Sequence, residues 1–428
     1  MNKKTVLILT YYWPPSGGAG VQRWLKFVKY LPKHNWNPVI FTVKNGEYPV
    51  LDEGLNNDVP KGIKVIKSPI WEPYGFYKKL TGRKKNDKIN SGFLSEKKKS
   101  VFFEKLSVWI RGNFFIPDAR KFWIKPSIKL LKTYIQENNV DVIISSGPPH
   151  STHLIAKDLA SIFKIPWIAD FRDPWTNIDF YNDLLLTKWA DSKHKKLEKS
   201  VLENANVTLT IGETLASELR QLGAKKVEVI ENGYDLNDIK QDAISLDDKF
   251  TIAHIGSFTP SRNIASFWMA ISELIKEDES FSNSFELKLI GKVDFSVFES
   301  LEKYELNSYV NHIPYLAHDL VIKEQMKSHV LLLMINQTPN AKGIVTGKVF
   351  EYMASGRPTL IIGPTDGDVS KIVLKCNAGI TCDYNDVVKI KQEILQLFNK
   401  KKEYKASINS YSRESLTEKL VDILNSLV

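Results

Sequence analysis

Thr346-Gly-Lys-Val-Phe-Glu-Tyr-Met-Ala-Ser-Gly-Arg-Pro358 runs directly into the apolar stretch Thr359-Leu-Ile-Ile-Gly363. The first part reads as a short helix with both ends marked. Thr346 is placed to cap the start, its hydroxyl accepting from a free backbone N–H. Gly356 suits a left-handed residue past the end, and Pro358 forbids continuation. Val349, Phe350, Met353 and Ala354 supply an apolar stripe, and residues 359–363 read as a buried strand. Lys348 and Glu351, three apart, share one face near the helix start. A helix start carries positive dipole and unpaired N–H groups, which suits a phosphate. A carboxylate within the next turn suits sugar hydroxyls, so these parts together fit a nucleoside diphosphate. A solvated Lys–Glu pair on an ordinary helix has the same pattern.

The strand–helix alternation extends in both directions from this stretch. Upstream, Phe250-Thr-Ile-Ala-His-Ile-Gly-Ser257 is a strand ending in Gly. Phe258-Thr-Pro-Ser-Arg-Asn263 then leads into a helix. Arg262, at that helix start, brings charge and two-pronged geometry to a phosphate. Residues 286–290, 310–314 and 330–335 read as further strands, with helices between them. Downstream come a strand at 378–382 and helices at about 386–400 and 413–427. Residues 236–249 are charged and unpatterned and read as an interdomain linker.

The first half repeats the alternation. Val6-Leu-Ile-Leu9 is a strand leading into Tyr11-Tyr-Trp-Pro-Pro-Ser-Gly-Gly-Ala-Gly20, followed by a helical pattern from Val21. Strand, Gly-rich loop and helix is a phosphate-cradling arrangement, and Gly17 and Gly18 allow close backbone approach. The loop lacks GxGxxG spacing and a Walker lysine. Later strands at 140–146 and 166–170 end in Gly147-Pro-Pro-His-Ser-Thr-His153 and Phe171-Arg-Asp-Pro-Trp175. Parallel sheets bind ligands at the carboxyl ends of their strands, so His150, Asp170, Arg172 and Asp173 form a candidate constellation. Helix capping for the aspartates and a satisfied loop position for His150 are the structural alternatives. Between these regions, residues 72–123 lose the alternation and interleave Lys and Arg with aromatics. They read as an insertion or lid. Such a composition suits an anionic membrane surface or a mobile loop better than single-stranded nucleic acid.

Composition bounds the rest. The 428 residues, 43% hydrophobic and 25% charged, suit two or three globular domains. Cys376 and Cys382 make no disulfide framework, which favours a reducing compartment. No run approaches ~18 apolar residues, so no membrane span is expected. The net charge of +10 favours anionic partners. No Cys/His spacing suggests zinc, and no metal site is expected.

Residues 346–358 and 143–175 also carry a resemblance. They are similar to the nucleotide-binding and first-domain segments of retaining GT-B glycosyltransferases of family 4. Glu231-Asn-Gly-Tyr-Asp235 resembles the phrase that closes the first domain in that family. The resemblance implies an α/β GT-B architecture of two doubly wound Rossmann-like domains facing a central cleft. It places a first, acceptor-side domain at 1–240 carrying the 72–123 insertion, and a nucleotide-sugar-binding domain at 241–410. A terminal helix at 411–428 is expected to pack back on the first domain. It implies a metal-independent transferase moving a sugar from a nucleotide donor to a hydroxyl on a glycan or lipid-linked glycan, with the nucleotide sugar as co-substrate and no other cofactor. Glu351 would hold the ribose. Lys348 and Arg262 would lie at the diphosphate, and Gly17, Gly18 and Arg23 in the first loop. Asp170, Arg172 and His150 would orient donor or acceptor.

The chain departs from the family pattern at three positions. Gly343 stands where the family often has a donor-sugar Glu, leaving the backbone N–H groups of Gly343, Ile344 and Val345 for that contact. Ser257 replaces a first cation, and Arg172 stands roughly where other members of the family have a cleft histidine. A GT-B sugar-nucleotide epimerase and a catalytically silent binding partner are the alternative functions. The expected location is cytoplasmic, peripheral at the inner face of the membrane, with no nucleic-acid partner.

Overall fold

The computed structural model describes residues 3–48, 50–72, 101–236, 244–314, 316, 318–401 and 403–428. The chain divides into two compact units, residues 1–231 with 413–428, and residues 232–412.

The first unit is built on β1 (Lys4–Leu9), α1 (Ala19–Tyr30), β2 (Trp36–Val43), β3 (Lys64–Ser68), α2 (Val101–Phe114), α3 (Ile124–Glu137) and β4 (Val142–Gly147). It continues with α4 (Ser151–Phe163), β5 (Trp167–Phe171), α5 (Lys188–Asn204), β6 (Val207–Thr210), α6 (Glu213–Gln221) and β7 (Val227–Val229). Its seven strands lie in the order β3-β2-β1-β4-β5-β6-β7, every neighbouring pair parallel. Chain order reverses at β1 and β4, which makes their carboxyl ends the topological switch point.

Successive strand residues point to opposite faces, and both faces are buried. Leu7 and Leu9 join one apolar cluster, while Val6 and Ile8 join another. This is why the strands read as near-continuous apolar runs rather than as alternating ones. The second cluster also holds Trp24, Leu25 and Val28 of α1 together with Leu416, Leu420 and Leu424. The C-terminal helix Arg413–Asn425 therefore packs on α1 as part of this unit.

The second unit comprises β8 (Phe250–Ile255), α7 (Ala265–Glu277), α8 (Glu279–Ser284), β9 (Phe285–Ile290), α9 (Phe295–Lys303), β10 (Val310–Ile313) and α10 (His318–Lys327). After these come β11 (Val330–Met334), α11 (Gly347–Ala354), β12 (Thr359–Ile362), α12 (Asp368–Lys375), β13 (Gly379–Cys382) and α13 (Val387–Phe398). The parallel order is β10-β9-β8-β11-β12-β13, with the switch point between β8 and β11. α7 and α13 cover one face through Phe267, Trp268, Ile271, Ile390 and Ile394. Cys376 and Cys382 are buried and form no disulfide.

Two regions differ from the sequence reading. Of the expected insertion, residues 73–100 lie outside the described residues. That range holds Tyr74, Phe76, Tyr77, Lys78 and Lys79 and the two lysine-rich runs. The part at 101–114 is a helix, α2, where no helical pattern was read. Its apolar residues, Leu106, Trp109, Ile110 and Phe114, are spaced for a helix but remain exposed, so the stripe does not resemble a core face. The second region is the linker. Lys288 is buried and bonds both Asp247 (2.8 Å) and Glu324 (2.9 Å), so the linker's described end is tied into the second sheet. No described helix is long and apolar enough to cross a membrane.

Candidate functional site

In the second unit, the end of β8 and the start of α11 build a cationic site. α11 is fixed by Tyr352, whose buried hydroxyl accepts from Ile255 N–H (3.0 Å) and donates to Ile255 C=O (3.2 Å). Val349, Phe350 and Met353 are buried on the same helix. Lys348, one turn before Tyr352, is thereby laid across Gly256. Gly256 has φ +110°, and a Cβ there would overlap the Lys348 ammonium. Gly291 has φ +115°, and its own Cβ would lie 2.7 Å from the Gly256 carbonyl oxygen. Both positions therefore demand glycine, for conformation and for space.

Arg262 is held beside Lys348 at the switch point. Its Nε donates to Asn336 Oδ1 (2.6 Å) just past β11, and its Nη1 donates to Ser257 C=O (2.9 Å). The Tyr384 hydroxyl fixes Asn336 by donating to its backbone carbonyl (2.9 Å). Lys348 itself makes no hydrogen bond or ion pair with the described residues. Burial, then the neighbouring Arg262 charge, lower its pKa to about 7, while Glu351 opposes the shift. His254, buried beneath, is kept neutral by burial and then by Lys348 and Arg262, which push its pKa well below the usual value. Mutual repulsion of two cations in a half-buried setting is what an anion would relieve.

The start of α11 differs from expectation. Thr346 is the N-cap with extended backbone, but its hydroxyl makes no capping bond. Thr346 Oγ1 is buried without a partner, and the first turn carries no acidic residue. Gly356 does take the left-handed conformation, φ +73°. Gly343 ends a short 3₁₀ turn, and its N–H donates to Asn340 C=O (3.0 Å). The Ile344 N–H donates to Ala341 C=O (3.3 Å). Two of the three backbone groups expected to meet a sugar are thus committed within the chain.

In the first unit, the predicted residues gather at the ends of β4 and β5. Asp170 has no exposed surface. It accepts from Arg23 Nε (3.1 Å), Arg23 Nη2 (2.9 Å), Trp24 Nε1 (2.9 Å) and Ser146 Oγ (3.0 Å). Arg23, equally buried, also donates to the carbonyls of Ile230 and Glu231. The structure thus places Asp170 and Arg23 as an internal clamp joining β5, α1 and the end of β7. Neither side chain is presented to a ligand.

His150 is buried and stacks on Trp175, ring centroids 4.4 Å apart and planes 3° apart. Trp175 Nε1 donates to His194 Nδ1 (3.1 Å). His153 bonds Ser145 Oγ (2.8 Å) and stacks on Phe171 at 4.7 Å. Burial pushes the pKa of all three histidines down, His153 to about 3. His150 and His153 are thus neutral rings inside an aromatic stack, and His194 meets Trp175 and Tyr181 edge-on. Arg172 is nearly covered: its guanidinium lies over the Tyr12 ring (5.9 Å) and against Gly20, where a Cβ would overlap it. Asp173 accepts from Arg172 Nε (3.3 Å).

The first loop is pinned from outside. Gly17 N–H donates to Val50 C=O (2.9 Å), and the Pro15 carbonyl accepts from Asp52 N–H (2.9 Å). Gly18, with φ +93° and ψ 172°, forms the turn into α1. This conformation is essentially reserved for glycine.

Sequence reasoning missed Asn336, Tyr352 and His254. Tyr352 lay inside the opening motif and read only as a helix residue. Asn336, the first residue beyond the run 330–335, carried a positional signal. Among the described residues, no group of three or more His, Cys, Asp or Glu is placed to hold a metal ion.

Residues 93–238 match the family described as Glycosyltransferase Family 4. None of the curated proteins compared matches the chain. Among solved structures, sucrose-phosphate synthase from Thermosynechococcus elongatus is similar at TM-score 0.62 and 13% identity, over 99% of each chain. A complex of S. aureus TarM with fondaparinux, α-GlcNAc-glycerol and UDP is similar at 0.59 and 13%, over 99% of this chain and 100% of that one. A protein described as a putative UDP-N-acetylglucosamine 2-epimerase from Listeria monocytogenes is similar at 0.52 and 11%, over 99% and 96%. These structural likenesses are of fold. Together with the match at residues 93–238 and the two parallel sheets, they make this chain a GT-B protein resembling the glycosyltransferases of family 4.

Proposed function

We propose that the chain is a retaining glycosyltransferase, acting without a metal, that moves a sugar from a nucleotide donor to a hydroxyl acceptor. The observation that carries this reading is the unpaired Lys348 ammonium, lying beside Arg262 over a glycine at the switch point of the second sheet. As the bond between the sugar C1 and the diphosphate breaks, negative charge builds on the leaving oxygen. Lys348, Arg262 and the uncapped start of α11 meet that charge. Thr346 Oγ1 gains a partner in a phosphate oxygen. Glu351, one turn into α11, accepts from the ribose hydroxyls. The acceptor oxygen bonds to C1, and its proton passes to the departing diphosphate, so no protein nucleophile is assigned.

In the first unit, His150 and Arg172 act as positioning residues for the loops that meet the acceptor, and Asp170 acts through Arg23. Gly17 and Gly18 let the first loop approach the ligand. The acceptor is a glycan or lipid-linked glycan of surface polysaccharide assembly, handled at the cytoplasmic face of the membrane.

The test is thermal stabilisation by UDP, GDP, ADP and their sugar conjugates. A ligand at ~100 times its dissociation constant adds roughly 2.7 kcal/mol. One nucleotide should stabilise the wild type and fail to stabilise Glu351→Ala. No stabilisation by any nucleotide would overturn the donor site. An epimerised nucleotide sugar, formed with no transfer to any added acceptor, would instead favour the epimerase, whose fold is shared. Nucleotide binding with neither reaction would favour the silent partner, in keeping with the committed backbone at Gly343.

A further inference from the structure

A second cationic feature lies far in sequence from the donor site, on the first unit. The end of α2 and the start of α5 enclose a pocket of about 390 Å³ whose lining includes Trp109, Phe114, Lys121, Trp189 and Lys193. Its walls are tied together. Asn113 Nδ2 donates to the carbonyls of Trp109 (2.8 Å) and Leu185 (3.2 Å), and Asn113 Oδ1 accepts from Thr187 N–H (2.7 Å). Thr187 in turn caps α5 through its hydroxyl. The pocket is therefore held by backbone and amide contacts, independent of what fills it.

Its chemistry is one-sided. Lys121 and Lys193 form no ion pair with the described residues, and no carboxylate lines the pocket. Lys121 Nζ is held by the Phe114 carbonyl (2.5 Å) and lies over the rings of Phe115 and Phe122. Lys193 lies over Trp189 at 4.8 Å. Burial and the nearby Lys193 lower the Lys121 pKa. Around this pair the aromatic rings are turned outward. Trp189 is 63% exposed and Phe114 59%. Ring contacts form two groups, Trp109 with Phe114 (5.6 Å) and Trp71 through Phe122 to Phe115 (4.9 and 6.2 Å), and Lys121 links them by bonding the Phe114 carbonyl while lying over Phe115 and Phe122.

We propose that this patch docks on an anionic lipid bilayer, with a lipid phosphate held between Lys121 and Lys193 and the rings of Trp109, Phe114 and Trp189 at headgroup level. A soluble phosphate would explain the two lysines but not the outward Trp and Phe rings. An apolar partner would explain the rings but not the uncompensated lysines. An anionic bilayer surface asks for both, since aromatic rings favour the interface and lysines the negative leaflet. The inference uses only described residues of the first unit, and it stands or falls apart from the donor site.

The test is flotation of the full chain with phosphatidylcholine vesicles, with and without phosphatidylglycerol. The wild type should float only with the anionic vesicles. Lys121→Glu with Lys193→Glu should reduce partitioning about tenfold or more, given roughly 1 kcal/mol per cation near a charged surface. Trp189→Ser should reduce it several-fold, without a change in salt dependence. Nucleotide stabilisation should be unchanged in all variants, which separates this result from any failure of the donor site. Equal flotation of wild type and the double variant would overturn the proposal, as would no flotation of the wild type. Saturable binding of glycerol 3-phosphate by the wild type, lost in the double variant, together with no flotation on anionic vesicles, would make a soluble phosphate compound the occupant and also overturn it.

Discussion

Each unit places polar residues at the switch point of a parallel sheet, but it uses them in opposite ways. In the first unit the charges are consumed by the fold. Arg23 and Asp170 neutralise each other out of solvent, His150 and His153 are stacked as neutral rings, and His194 lies edge-on to Trp175. In the second unit one charge is left without a bonded partner: Lys348 lies over Gly256, repelled by Arg262 and only partly offset by Glu351, and makes no hydrogen bond or ion pair among the described residues. A strand end rich in charged residues is therefore not by itself a binding site. What separates the two is whether each charge is already answered by the chain.

The largest expected effect tests the closed side. Asp170→Asn leaves the Arg23 guanidinium buried without its counter-charge. Breaking a buried pair in this way costs about 3–5 kcal/mol. The urea midpoint should fall accordingly, with the slope unchanged. A variant that keeps its stability but loses activity would show that Asp170 reaches a ligand, and the contrast between the units would fail.

Acid probes the same region next. His150 and His153 have pKa values lowered by burial, so the folded protein keeps them neutral while the unfolded chain protonates near pH 6.5. Their contribution is intact above that pH and is lost as pH falls through it. A histidine kept neutral in the fold removes about 1.4 kcal/mol per pH unit below 6.5. Urea unfolding of wild type and His153→Phe at pH 7.5 and 5.5 isolates the His153 share. His153→Phe should flatten the slope; an unchanged slope would mean that His153 is protonated in the fold.

Lys348→Met probes the open side, with a smaller effect of the opposite kind. Removing a charge-assisted contact to phosphate costs roughly 1.5–3 kcal/mol of binding, or about 10- to 100-fold in nucleotide affinity. The free protein should lose no stability, because the cation it gives up was desolvated and unpaired. The wild type should also bind nucleotide more weakly as pH rises above about 7, where free Lys348 loses its proton. Calorimetry in buffers of different ionisation enthalpy should record proton uptake near that pH. A destabilised Lys348→Met protein with normal affinity would reverse the assignment.

The fold was legible because both faces of each sheet are buried. Runs such as Val330–Met334 had to be apolar throughout, and helices had to separate them. The site was legible by residue type but not by direction. Asp170 and Asp173 lie three apart at one strand end, yet only the first falls within β5, paired across from Ser146. Asp173 lies past the strand end with its side chain 43% exposed, so where the strand stops, which the sequence does not mark, decides which aspartate is inside. Arg262 was legible as a cation ahead of a helix, although it ends a 3₁₀ turn and the helix begins only at Ala265, whereas its holder Asn336 comes from a different strand end, 74 residues away. Helix α2 was hidden because Leu106, Trp109, Ile110 and Phe114 face outward, a pattern that packing inside one chain does not explain.

Thr346 gives the smallest and sharpest discrimination. A threonine before a helical run is an ordinary capping signal. In an ordinary cap, Thr346→Val would remove a hydrogen bond and destabilise the protein by about 0.5–2 kcal/mol. Here Thr346 Oγ1 is buried and unbonded. The isosteric change therefore removes an unsatisfied polar atom and should leave the free protein unchanged or more stable, by up to about 1 kcal/mol. With nucleotide present the sign should invert, because the hydroxyl then has a phosphate oxygen to donate to, and the ligand-induced shift should shrink by about 1 kcal/mol. Melting curves of wild type and Thr346→Val, each with and without nucleotide, form a closed cycle that isolates this coupling. A coupling of zero would make Thr346 a residue of the fold alone, and would leave Lys348, Arg262 and Glu351 as the side chains on which the open site rests.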